Sequence, residues 1–303
     1  MSTRQAILRT TILLSLLAGL VACSPSKQAS PTPNPIRLTA APLPTFPFPT
    51  LTPTATPLTC LSQPGRLETG AFDLVKPQEF LVYLPPCYDE NTETRYPVLY
   101  LLHGQTYTAD QWIRLGAVDE LDRLILAGEF EPFIVVFPDD SYWNIPFGSG
   151  FGQRLADDII PYIDSTYRTI PERDQRAIGG LSRGAGWAFR LGFTRPDLFS
   201  VVGLHSLAIL QGDGSKVEKW IASLPQDSHP SIFMDIGNRD QELKMARLVE
   251  SSLNENNFPY EWHLYNGAHT EEYWGAHVEE YIRWYAEQWK DDGKEPRQDT
   301  DVK

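Results

Sequence analysis

From residue 60 onward the chain alternates short apolar runs with stretches in which apolar positions recur every three or four residues. Phe80-Leu81-Val82-Tyr83-Leu84 reads as a strand stopped by Pro85-Pro86. Val98-Leu99-Tyr100-Leu101-Leu102 is apolar at every position and ends at His103-Gly104, as a strand buried on both faces would. Runs at 133–137, 176–180, 200–204, 232–236 and 261–265 repeat the pattern. Between them lie amphipathic helices: Asp119 to Ala127, Leu155 to Tyr167 with Ile159, Ile160 and Ile163 on one face, Trp187 to Phe193, Glu242 to Leu253, and Tyr273 to Trp289. Strand–helix alternation at this spacing predicts an α/β domain over residues 60–291. Its mostly parallel sheet is covered by helices on both faces and followed by a charged tail at 292–303.

The first 59 residues follow neither period. Arg4 and Arg9 precede an apolar run from Ile12 to Ala22, the parts of an export signal over residues 1–22. Eleven residues are too few to span a bilayer, which takes about 20. Leu20-Val21-Ala22-Cys23 resembles the bacterial lipobox, in which the cysteine is lipidated and becomes the first mature residue; a plain signal peptide is the alternative. Residues 24–59 hold ten prolines, eight threonines and no acid. Such a segment buries too little surface to offset its ordering entropy, and as polyproline II it would reach roughly 100 Å. The expectation for 23–59 is a lipidated Cys23 and a linker, placing the protein outside the cytoplasm and anchored to a membrane.

Charge narrows the partners. All 39 acidic residues lie beyond residue 59, against 22 of the 26 basic ones, and the formal net charge is −13. A surface that acidic repels phosphate backbones, so nucleic acid is excluded as a partner. With Cys23 assigned to lipid, Cys60 and Cys87 remain as a pair. In an oxidising compartment they can form a disulfide; two free thiols or a metal pair are the alternatives, and no histidine or Cys-x-x-Cys supports metal.

Gly180-Leu181-Ser182-Arg183-Gly184 fits the G-x-S-x-G nucleophile elbow of α/β-hydrolases. The pattern alone is weak. Its setting, after an apolar strand and before a helical stretch, is what the mechanism requires: a sharp turn that exposes the serine and aims a main-chain N–H at a developing oxyanion. The Arg183 amide is one candidate donor. The loop after Leu102 should give the second, at Gln105, with His103 bracing that loop. Acid and base follow the serine in the order Ser, Asp/Glu, His. His269, on a Gly-containing loop behind the last strand, is the candidate base, with His277 the runner-up. Asp240, beyond the strand at 232–236, is the candidate acid, with Glu242 and Asp235 as alternatives.

Together these residues resemble the Putative esterase family, which includes esterase D, feruloyl and acetylxylan esterases, enterochelin esterases and the antigen 85 mycolyltransferases. The resemblance runs from about Phe80 to Trp289. It rests on Tyr83-Leu84-Pro85, Tyr96-Pro97-Val98 through Gly104, Ile159 to Asp164 with Tyr167-Arg168, Ala177 through Gly184, and Gly267-Ala268-His269 with Trp274 beyond. It implies a serine carboxylic-ester hydrolase acting through an acyl-enzyme on carbohydrate-linked or other extracellular esters, without cofactor or metal. Acyl transfer to a sugar or lipid, or a non-catalytic binding role on the same scaffold, are the alternatives. Many members have methionine where this chain has Arg183, and a glycine-rich loop where it has Gln105-Thr106-Tyr107. An arginine at the mouth would favour an anionic group. Tyr142 and Trp143, in the loop after Asp139-Asp140, and Trp274 are the candidate substrate contacts. The adjacent acids Asp139 and Asp140 are weak evidence for a cation.

Overall fold

The computed structural model describes residues 59–72, 78–140 and 150–290. The export signal at 1–22, Cys23, nearly all of the linker, Tyr142, Trp143 and the tail at 292–303 lie outside the described residues.

Eight strands form one sheet: β1 (Arg66–Phe72), β2 (Gln78–Leu84), β3 (Val98–Leu102), β4 (Ile134–Pro138), β5 (Arg176–Leu181), β6 (Val201–His205), β7 (Ser231–Gly237) and β8 (Glu261–Tyr265). Their order is β1-β2-β4-β3-β5-β6-β7-β8, with β2 antiparallel to both its neighbours, β1 and β4, and every other pair parallel. The seven expected strands are all present. β1 is an addition: Arg66-Leu67-Glu68-Thr69-Gly70 carries no apolar run, and pairing with β2 rather than burial makes it a strand.

The run Val98–Leu102 is apolar throughout because each face of the sheet has its own core. Val98, Tyr100 and Leu102 join Val82, Ile134, Val136, Ile178 and Val202 on one side; Leu99 and Leu101 join Val135, Phe137, Ala177 and Phe233 on the other. Helices α1 (Gln111–Arg114), α2 (Ala117–Leu126) and, at the chain's end, α8 (Glu271–Glu287) cover the second face. The first is covered by α3 (Phe151–Arg154), α4 (Ile160–Thr166), α5 (Arg183–Thr194), α6 (Val217–Ser223) and α7 (Leu243–Glu255). A π turn over Leu155–Ile159 joins α3 to α4. It stands just ahead of Pro161, which cannot donate to the preceding turn, so the widened turn carries the helix past it. The topology is that of an α/β-hydrolase.

Cys60 and Cys87 form a disulfide across 27 residues, with Cα atoms 5.1 Å apart. It lies at the C-terminal end of β2. Because β2 runs antiparallel to β4, that is the sheet end remote from the C-termini of the parallel strands. Among the described residues no helix is long and apolar enough to cross a membrane.

Candidate active site

Ser182 caps the N-terminus of α5 directly after β5, with φ 55° and ψ −117°. A non-glycine residue held there costs on the order of 1–3 kcal/mol and persists only where its surroundings fix it. Both flanking glycines are sites of close approach. A Cβ on Gly180 would lie 2.5 Å from the Gly184 carbonyl carbon, and one on Gly184 would lie 2.3 Å from the Leu102 oxygen. The Ser182 N–H donates to the His205 carbonyl at 2.8 Å, which ties the elbow to the end of β6.

Ser182 Oγ is 2.8 Å from His269 Nε2, and His269 Nδ1 is 2.9 Å from each oxygen of Asp240. An ionised carboxylate only accepts, so Nδ1 carries the proton and Nε2 is left to accept from the serine hydroxyl. The loops carrying Asp240 and His269 interlock: Arg239 N–H donates to the Gly267 carbonyl at 2.8 Å, and Gly267 N–H to Asn238 Oδ1 at 3.3 Å. Burial pushes the Asp240 carboxyl up. Hydrogen bonds from His269, the Glu242 amide and the Ser206 hydroxyl, with the attraction of the imidazole, outweigh it and leave Asp240 below its ordinary range. Thr270 caps α8 through its side chain, which accepts from Tyr273 N–H at 3.3 Å, so the cap directly follows His269 and the helix begins at Glu271.

Gly104 sits beside the elbow: a Cβ there would lie 3.6 Å from the Ser182 Cβ. Its N–H is taken by Gln111 Oε1 at 2.8 Å. Among the described residues, the main-chain N–H groups of Gln105 and Arg183 have no hydrogen-bonding partner. His103 bridges the two loops at the mouth. Its Nδ1 donates to the Gly104 carbonyl at 2.7 Å, and its Nε2 accepts from Asp140 N–H at 2.8 Å.

Several expectations change. Trp274 does not offer its face to a substrate: it is 3% exposed, donates from Nε1 to Ser206 Oγ at 2.9 Å, and packs edge-on against His269 at 4.9 Å. Asp140 faces an arginine and an indole, and one of its oxygens accepts from Arg183 Nε and Trp187 Nε1, both at 2.9 Å. The Arg183 charge is therefore matched inside the protein, which weakens the expected preference for an anionic group. Glu242 meets Asp240 through its main chain, not its carboxylate. His277 stacks on Tyr265 and pairs with Glu280, away from the serine. Sequence reasoning missed Ser206, which is fully buried with φ 49°. It follows β6 as Ser182 follows β5, but no motif marks it.

The sequence matches the family model described as "Putative esterase" over residues 74–285. An endo-1,4-beta-xylanase/feruloyl esterase of Xylanibacter ruminicola is 35% identical over 187 residues, which are 58% of this chain and 25% of that protein. The chain thus spans a quarter of that relative's length. A solved ferulic acid esterase superposes with a TM-score of 0.67 at 26% identity, covering 75% of this chain and all of that one. A substrate-bound, fluorophosphonate-binding serine hydrolase of Staphylococcus aureus has a TM-score of 0.62 at 18% identity, over 74% of this chain and 99% of its own, and shows the shared fold.

Proposed function

This chain belongs to the Putative esterase family, and from that premise we propose that it is a serine carboxylic-ester hydrolase with Ser182, His269 and Asp240 as its triad. The observation that carries the reading is the continuous chain from Ser182 Oγ through the imidazole to Asp240, 2.8 Å and 2.9 Å long, on a strained elbow.

In this reading His269 Nε2 takes the Ser182 proton as Oγ attacks the ester carbonyl. Asp240 holds the tautomer and the charge that forms on the imidazole. The Arg183 amide, at the N-terminus of α5, and the Gln105 amide donate to the tetrahedral oxyanion. His269 then protonates the departing alcohol, and a water activated by the same imidazole releases the acid. Trp274 and Ser206 hold the base and the acid from behind.

The substrates proposed are hydroxycinnamoyl-type esters of carbohydrate. Relatives named for feruloyl and ferulic acid esterase activity support this, and Tyr142 and Trp143 remain the proposed aromatic contacts. A disulfide in the described domain fits an oxidising compartment, and with the lipobox at Cys23 it supports an extracytoplasmic protein tethered by lipid through the linker at 23–59. The test is hydrolysis of acetyl, feruloyl and longer acyl esters, with Ser182→Ala as control. Loss of turnover and of fluorophosphonate labelling in Ser182→Ala is expected; full activity in that variant would overturn the reading.

A further inference from the structure

A second carboxylate–imidazole pair lies beneath the first. Asp235 and His205 are register partners on β7 and β6, 1% and 0% exposed, with Asp235 Oδ1 2.7 Å from His205 Nδ1. Asp235 Oδ2 accepts from the hydroxyls of Tyr273 at 2.6 Å and Tyr281 at 2.7 Å. His205 Nε2 pairs with the Tyr285 hydroxyl at 3.0 Å. The three tyrosines stand on the inward face of α8, and burial together with Asp235 raises the pKa of each, so their hydroxyls stay protonated. The sheet is hollowed to admit them. Gly179 and Gly203 are register partners on β5 and β6, and a Cβ on either would lie 1.7 Å from the Tyr285 oxygen.

Two short routes lead from this cluster to the reacting groups. The His205 carbonyl receives the Ser182 N–H at 2.8 Å, and the next amide, Ser206 N–H, donates to the Asp235 carbonyl at 2.8 Å. On the other side, the Tyr273 ring lies against Gly267, two residues before His269: a Cβ on Gly267 would come 2.3 Å from Tyr273 Cδ2. A buried carboxylate is costly unless its partners are fixed, and here those partners are the strand end under the nucleophile and the helix behind the base.

We propose that Asp235 is a positioning residue for the reaction. Through His205 it sets the strand end that carries the Ser182 elbow, and through Tyr273 it sets the loop that carries His269, so one buried carboxylate holds nucleophile and base at hydrogen-bonding distance. The proposal rests on the reading of Ser182 and His269 given above.

The test compares Tyr273→Phe and Asp235→Asn with Val278→Ala, a packing change on the same helix at a residue 2% exposed. Each is assayed well below its own Tm for the rate of fluorophosphonate labelling and for kcat and KM on p-nitrophenyl acetate per labelled site. A loss of alignment lowers kcat and the labelling rate of Tyr273→Phe about tenfold, and of Asp235→Asn by more, with KM within about twofold. Val278→Ala loses Tm and keeps its rate. If both polar variants lose Tm but label at the wild-type rate, the cluster is structural and the proposal fails. If Asp235→Asn does not fold, Tyr273→Phe decides alone. If Ser182→Ala labels as the wild type does, the nucleophile assignment is what has failed, and the proposal with it.

Discussion

Arg183 Nε and Trp187 Nε1 converge on one oxygen of Asp140, a side chain 4% exposed, directly beside Ser182. The residue after Ser182 is thus tied to the loop after β4. Removing one partner of a buried pair leaves an uncompensated charge, which typically costs 3–5 kcal/mol. Arg183→Met is expected to lose about 3 kcal/mol in urea unfolding. Its kcat per labelled site should change little, because the proposed oxyanion donor at 183 is main chain. The double variant Arg183→Met/Asp140→Asn should recover most of the loss, and a strictly additive cycle would refute the coupling.

Asp240→Asn replaces an acceptor-only carboxylate by an amide that can also donate, so the His269 tautomer is no longer fixed while the shape is kept. Steady-state kinetics should show kcat lower by about 10³–10⁴ with KM little changed. A tenfold loss or less would mean that another group orients the imidazole.

The lowered pKa of Asp240 fixes the sign of a stability term. A carboxyl held below its unfolded value of about 3.9 stabilises the fold fully above that pH, and the contribution disappears as pH falls through the folded value. Tm measured across the acid range should therefore fall less steeply for Asp240→Asn than for the wild type, with the two curves converging at the lowest pH.

The disulfide closes a 27-residue loop at the sheet end remote from Ser182. Cys60→Ser/Cys87→Ser should cost about 3 kcal/mol of stability and leave kcat at moderate temperature unchanged. Denaturant unfolding with and without reductant measures the first, and esterase assay the second.

Gly184→Ala should destroy the elbow. Its methyl would meet the Leu102 carbonyl, a backbone atom with no rotamer to yield. Loss of fluorophosphonate labelling in folded protein, or failure to fold, is the expected outcome.

The strand β3 was legible to the residue, because an unbroken apolar run between turn residues leaves little freedom of placement. β1 was not: it is an edge strand whose polar residues face solvent, and only its partner makes it a strand. Ser182, His269 and Asp240 could be singled out as candidates because each follows a strand on its own loop, in an order the fold imposes. The inner pair was passed over for the complementary reason. Asp235 and His205 lie inside strands, 30 positions apart, and only the register of β6 on β7 brings them together. Trp274 was misjudged because a tryptophan following a loop reads the same whether it faces a ligand or the back of a histidine.

The Tyr285 hydroxyl, resting between Gly179 and Gly203, binds three distant positions into a single constraint on sequence change. A tyrosine at 285 demands glycine at both others, and phenylalanine would not lift the demand, because its Cζ would still lie 2.7 Å and 2.5 Å from a Cβ at 179 and 203. Across related sequences the three positions should therefore vary as a set, and a lineage that gives up the ring at 285 for a smaller side chain should be the one in which side chains reappear at 179 or 203.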